Sequence, residues 1–245
     1  MIEAIGWGGA AASSLFVGAV LGVVRTWRAG LVGAVLAFGA GALISSVAFE
    51  LAEEGLVTGG PVPVAVGIAA GALSFAAGNA GVQRLGARRR RGASGSRDDL
   101  EGEGGTSLAF GALLDGIPEQ AVLGIGLASG GGVSVALLIA VWISNLPEAI
   151  GSAADMRRTG VAARPVLLLW AGVAVVCAGA TLAGWAVAHV SGDGTTAAVN
   201  GFAAGALLVM LVDEMVPEAQ HKVGAAAGLL TAVGFALAAG LSKLT

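Results

Sequence analysis

Eight apolar stretches follow one another along the chain, and each is long enough to cross a lipid bilayer. They run over Ile2–Val24, Leu31–Glu54, Val62–Leu85, Thr106–Ala128, Val133–Met156, Pro165–Val190, Thr195–His221 and Val223–Leu244. A membrane-spanning helix needs about 20 predominantly apolar residues to cover roughly 30 Å of hydrocarbon. Only 12% of the residues are charged, about half the roughly 25% usual in soluble domains. A water-soluble domain would have no polar skin. A single Cys excludes a disulfide scaffold, and strand-type alternation, the mark of a membrane barrel, is absent. The 42 glycines suit helices whose backbones approach closely in lipid. The expected fold class is therefore all-α: a polytopic membrane protein of eight transmembrane helices, forming one domain over residues 1–245. The first stretch does not read as a cleavable leader. No basic residue precedes it, Arg25 being the first, and it contains Glu3.

The basic residues set the expected orientation. Arg25 and Arg28, then Arg84, Arg88–Arg91 and Arg97, then Arg157, Arg158 and Arg164, then Lys222 all fall in odd-numbered connections. The even connections hold none, and Lys243 alone remains at the C-terminal end. The positive-inside rule makes the odd side cytoplasmic, so both termini are expected outside. Compact loops suggest a cell membrane of bacterial type, that is, the inner membrane. The longest loop, residues 86–105, reads as a disordered cytoplasmic linker: a block of Arg, a Gly/Ser stretch, then a block of acid. A regulatory segment or an anionic-lipid contact is the other reading. Four adjacent Arg without interleaved aromatics do not suit nucleic acid.

Acidic residues inside the spans demand an explanation. An ionised group at mid-membrane costs at least ~2.5–3.5 kcal/mol on insertion scales. Apart from Arg84 and Lys243 at the very ends of their spans, no Lys or Arg lies inside a span to offset Glu50, Glu53, Asp115, Glu119, Glu148, Asp213, Glu214 or Glu218. In the fourth span, LLDGIPEQAVLG, Asp115 and Glu119 are four apart and share a helical face. In the fifth, VWISNLPEAIGS, Ser144 and Asn145 precede Glu148 by four and three. Pro118–Glu119, Pro147–Glu148 and Pro217–Glu218 repeat one dipeptide in three spans. A proline within a helix frees a carbonyl one turn back, which in lipid must find a partner nearby. Carboxylates beside such a break suit a cation or protons. The bland alternative is structural acids hydrogen-bonded at helix kinks.

At 1.5 Å per residue, Asp115 lies about 14 Å from the inner end of its span and Asn145 about 18 Å from the outer end of its own. Both fall near the midplane, where carriers built on interrupted helices bind substrate.

At these residues the chain resembles the ZIP family of divalent metal transporters. Members have eight helices, outward termini, a long loop between helices three and four, and a fourth-helix motif His-Asn-x-Pro-Glu-Gly. The resemblance covers the whole chain in topology and is residue-specific around Asp115–Glu119 and Ser144–Glu148. It implies that Glu119 and Glu148 bind or bridge the metal, that Asp115 and Asn145 complete the shell, and that Ser144 is peripheral. It also implies an elevator motion of helices one, four, five and six against two, three, seven and eight. Here Asp115 and Gly116 replace the family's His and Asn, and Gln120 replaces its Gly. The resulting oxygen-rich set favours harder ions such as Mn²⁺, whereas imidazole suits Zn²⁺; Zn, Mn, Fe, Co and Cd all remain candidate substrates. No resident cofactor is implied. Three carboxylates exceed the charge of one divalent ion, so uptake is expected to depend on protons, with apparent affinity rising as pH rises.

The remaining residues divide between roles. Glu50 and Glu53 suit either an entrance funnel or a solvated helix end. Asp213, Glu214, Glu218 and His221 form a candidate secondary or exit metal site, the last two near the cytoplasmic end beside Lys222. His189 reads as interfacial, Cys177 as packing, and Asn79 and Asn200 as interhelical glue. No enzyme is expected: Asp115-Gly116 lacks the downstream Ala-Arg and aspartates of membrane phosphotransferases, and no span carries Gly-x-Ser-Gly or His-Glu-x-x-His. The rival functions are a proton-coupled carrier for a small organic solute and a degenerate relative that no longer transports. The Gly-rich spans permit a homodimer.

Overall fold

A computed structural model of the chain describes residues 1–92, 113, 116–128, 134–190 and 192–242. The regular structure of these residues is wholly helical. Eight helices account for it: α1 (Ile2–Val24), α2 (Ala29–Gly59), α3 (Pro61–Gly92), α4 (116–128), α5 (Val135–Arg158), α6 (Ala163–Val190), α7 (Asp193–Val223) and α8 (Ala226–Ser242). Among the described residues six helices, α1, α2, α3, α5, α6 and α7, are long and apolar enough to cross a membrane. The helix α8 is apolar but shorter. Residues 86–92, expected in the third loop, instead continue α3 to Gly92; the rest of that loop lies outside the described residues. Long side chains such as Arg propagate a helix well, so the basic block extends the span rather than ending it.

The departures from regular helix match one of the three span prolines: the carbonyl that Pro217 frees, that of Asp213, lies inside a widened turn of α7. The helix α5 runs unbroken through Pro147. The irregular turns lie in α2 and α7, which widen into π-helix over Val47–Glu53 and Leu211–Met215. Each wide turn carries acids: Glu50 and Glu53 in the first, Asp213 and Glu214 in the second. A π turn closes i to i+5, inserting an extra residue and re-aiming side chains, and such bulges recur at functional sites. Both long helices end at a glycine with positive φ, Gly60 (85°) and Gly224 (59°), a conformation that costs glycine nothing. The next helix then turns straight back.

Glycine sets how close the helices come. Gly67 and Gly71 of α3 face Gly201 and Gly205 of α7 along one seam, and a Cβ on any of the four would meet opposing backbone. By such contacts α3 packs along α7 and α8 along α2, while α1 packs along both α5 and α6. The α2–α5 contact joins the two sets. At its centre, a Cβ on Gly39 would stand 3.0 Å from Ser144 Cα. Among the described residues there are two apolar cores, and the first crosses that division, taking in Val122 and Leu123 of α4 and Leu137, Ala140 and Val141 of α5. One is built largely on α2 and α7 around Leu36, Leu43, Leu207 and Met210; the other joins α1, α5 and α6 around Leu15, Ala149, Trp170 and Cys177.

Candidate functional site

Glu119 is the deepest acid among the described residues, with 1% of its surface exposed. It sits in the first turns of α4, directly after Pro118. Across from it, Asn145 Nδ2 donates to Glu119 Oε2 at 2.8 Å. The Ser144 hydroxyl has one hydrogen to share between Glu119 Oε1 at 3.3 Å and the Val141 carbonyl at 2.9 Å. Glu148 lies one turn beyond Ser144 on α5, half-buried, and acts electrostatically on Glu119. Thus four of the five residues of the predicted midplane set, Glu119, Ser144, Asn145 and Glu148, come together on α4 and α5. The fifth, Asp115, lies outside the described residues.

The chemistry of this cluster follows from its partners. A buried carboxylate is expensive unless it is paired and hydrogen-bonded. Among the described residues the ion pairs are Arg158–Asp155 and Lys222–Glu218, and neither reaches Glu119. Glu119 is therefore held by neutral donors, an amide and a hydroxyl. Asn145 also carries an oxygen acceptor on the same amide. The cluster gathers the Ser144 hydroxyl and the Asn145 amide against Glu119, with Glu148 acting on it electrostatically. Gly39 closes this region from the α2 side by backbone contact.

The position after Glu119 holds a feature the residue pattern does not disclose. Gln120 is wholly buried and points to α6, where its Oε1 accepts a hydrogen bond from Thr181 Oγ1 at 2.8 Å. The same threonine abuts Gly8 of α1 and Gly124 of α4. Helices α1, α4 and α6 therefore meet at one residue, and the turn that carries Glu119 is fixed from behind. Cys177, one turn away, fills the space over Gly116, the packing role expected of it.

The other predicted groups separate. In α7, Glu214 Oε1 accepts from Asn79 Nδ2 of α3 at 2.7 Å, so Asn79 does bind helices together. Asp213 and His221 are exposed, and Glu218 pairs with Lys222 at 2.6 Å. These three acids and one imidazole are thus drawn to different surroundings instead of converging. At the other end, Glu50 has both carboxylate oxygens buried, beside Ser134, Ser242 and Glu54, whereas Glu53 is exposed. Among the described residues no three His, Cys, Asp or Glu side chains converge as a metal cage. The helical wheel misses this because the π turns shift every residue after them by an extra position.

The fold and its buried polar cluster define an all-α polytopic membrane protein. No protein-family model and no curated protein matches the chain.

Proposed function

We propose that the protein moves divalent metal cations across the membrane, toward the cytoplasm, through the Glu119–Glu148 cluster. The observation that carries this reading is a fully buried carboxylate, Glu119, hydrogen-bonded by the Asn145 amide and the Ser144 hydroxyl, with the Glu148 carboxylate of the neighbouring helix acting on it electrostatically. Such a pair is compensated by a bound cation or by protons that the cation displaces. Asn145 Oδ1 and Asp115 would complete an oxygen shell, and an oxygen shell favours Mn²⁺ over Zn²⁺. The Arg-rich side is taken as cytoplasmic, with both termini on the opposite face.

The packing supports a sliding mechanism. The helices α1, α4, α5 and α6 are pinned to one another at Thr181 and along the α1 glycines, and α2, α3, α7 and α8 through the Gly67–Gly205 seam and Gly41. A carrier can move one such set past the other at the α2–α5 contact, taking the cluster from one side to the other.

The test is reconstitution in proteoliposomes with Mn²⁺, Zn²⁺, Fe²⁺, Co²⁺ and Cd²⁺ supplied one at a time. Wild-type protein is expected to take up at least one ion, and Glu119→Gln and Glu148→Gln to lower that uptake at least ~10-fold, the loss of one buried charge contact. Uptake retained by both variants removes the site. Absence of uptake for every ion, with proton-driven uptake of a small organic solute, favours the rival carrier.

A further inference from the structure

Lys222 occupies a place that its position at a helix end does not suggest. It lies in the last turn of α7, yet only 20% of its side chain is exposed. Its stem passes through the slot left by Gly33 of α2, where a Cβ would collide with Lys222 Cβ. Its Nζ then stands 3.8 Å from where a Cβ on Gly151 of α5 would be. Glu218, one turn back on α7, tethers the ammonium at 2.6 Å. One lysine therefore spans the ends of α7, α2 and α5.

The position along α5 matters most. Gly151 is three residues past Glu148, a rise of about 4.5 Å, and seven past Ser144, a rise of about 10 Å. The pairing of the antiparallel α2 follows in step: Gly39 meets Ser144, and Gly33, six residues nearer the basic end, meets Lys222. The α2–α5 seam thus runs from the carboxylate cluster to Lys222. At the cluster the two backbones touch, and at the far end the gap is filled by an ammonium group. Among the described residues, Nζ is the one heavy atom from another helix within 4 Å of that Cβ position.

We propose that Lys222 is a tethered cation that gates the basic end of the Glu119–Glu148 pathway. A metal ion leaving the cluster toward that end meets the ammonium of the Lys222–Glu218 ion pair about one turn along α5 from Glu148. The charge holds the ion on the carboxylates and repels cations arriving from the basic side. Passage requires the ammonium to move off Gly151, and Glu218 keeps it within reach for return. This inference rests on the cation-transport reading for its purpose, but its geometry does not.

The experiment reads the barrier without using metal. In full-length protein with Cys177→Ala, the reporter Gly151→Cys is reacted with two methanethiosulfonates of similar size, one bearing trimethylammonium and one neutral. Lys222→Gln is expected to raise the cationic-to-neutral rate ratio about 10-fold or more, the scale on which one focused charge steers a charged reactant. Lys222→Arg is expected to keep the original ratio. A merely structural lysine alters both rates together and leaves their ratio unchanged, which overturns the gate. Should the Gly151→Cys protein not fold, Ser152→Cys, half-buried beside it, serves as the reporter with the same expectations. A raised ratio in a protein that takes up none of the five divalent ions keeps the ammonium barrier and removes the metal reading. An unchanged ratio with Mn²⁺ uptake does the reverse.

Discussion

Replacing Asn145 with aspartate puts the charge on Glu119 to a quantitative test. Asn145 Nδ2 lies 2.8 Å from Glu119 Oε2, and Asn145→Asp exchanges that donor for a second carboxylate oxygen without changing the side chain's size. Two unit charges at that distance repel by about 6 kcal/mol at an effective dielectric of 20. The lost hydrogen bond to a charged group adds about 1.5–3 kcal/mol. Relaxation and proton uptake recover part of this, so a net loss of about 3–5 kcal/mol is expected, as for a broken buried charge contact. For a chain of this length that is a fall in Tm of about 10 °C. The assay is thermal unfolding of the detergent-solubilised protein at alkaline pH, where protons no longer neutralise the pair, followed by intrinsic Trp fluorescence, with chelator and with saturating Mn²⁺. A divalent ion between the two carboxylates should restore most of the loss, because a ligand at 100 times its Kd adds about 2.7 kcal/mol. The variant should therefore show a larger metal-dependent rise in Tm than wild type. A Tm within about 2 °C of wild type in chelator, equivalent to under about 1 kcal/mol, refutes the reasoning, since Glu119 would then carry no charge for the aspartate to oppose.

Other expectations follow from the packing. Gly71→Val drives a branched side chain into the Phe202 backbone of α7 and should cost at least about 1–3 kcal/mol as overpacking, read as a lower Tm and reduced yield of folded protein. Asn79→Ala removes the donor to Glu214 and should cost about 1–3 kcal/mol in the same assay, with Mn²⁺ uptake by the Glu119 cluster retained. Metal uptake itself should strengthen as pH rises, since protons compete with the ion for the same carboxylate oxygens; apparent affinity measured between mildly acidic and neutral pH checks the sign.

How far the residues alone reach depends on whether a feature is local. The helix α1 runs over the residues its apolar stretch marks, Ile2–Val24, and α5 and α6 differ from theirs by a residue or two at the ends. Continuous hydrophobicity in lipid leaves the helix as the one way to satisfy the backbone. The Glu119–Asn145 contact was legible too. Polar residues at i, i+3 and i+4 beside a repeated Pro-Glu, at matching depth on successive spans, have few other places to go. Three features escaped that reading. The wide turn at Val47–Glu53 has no proline near it, while the one at Leu211–Met215 is marked only by the carbonyl that Pro217 frees at Asp213. They also changed the aim of the acids they carry, which is why Glu214 reaches Asn79 while Asp213 turns outward. Gln120, which reads as a departure from a glycine, finds its meaning only in Thr181, sixty-one residues away.

The chain's own order of residues determined that it crosses a bilayer as helices, which ends are basic, and that α4 and α5 bring acid and amide to the same depth. Those properties are set by the solvent and by the 3.6-residue turn, which act on each segment separately. Tertiary structure alone decided which acids meet and which part. Glu119 faces Glu148, Glu218 is claimed by Lys222, and the ammonium is threaded through the gap at Gly33 to stand beside Gly151. The physical reason is that such meetings depend on how closely two backbones approach. That distance is set by glycines on one helix and side chains on another, far apart in the chain and joined only by packing.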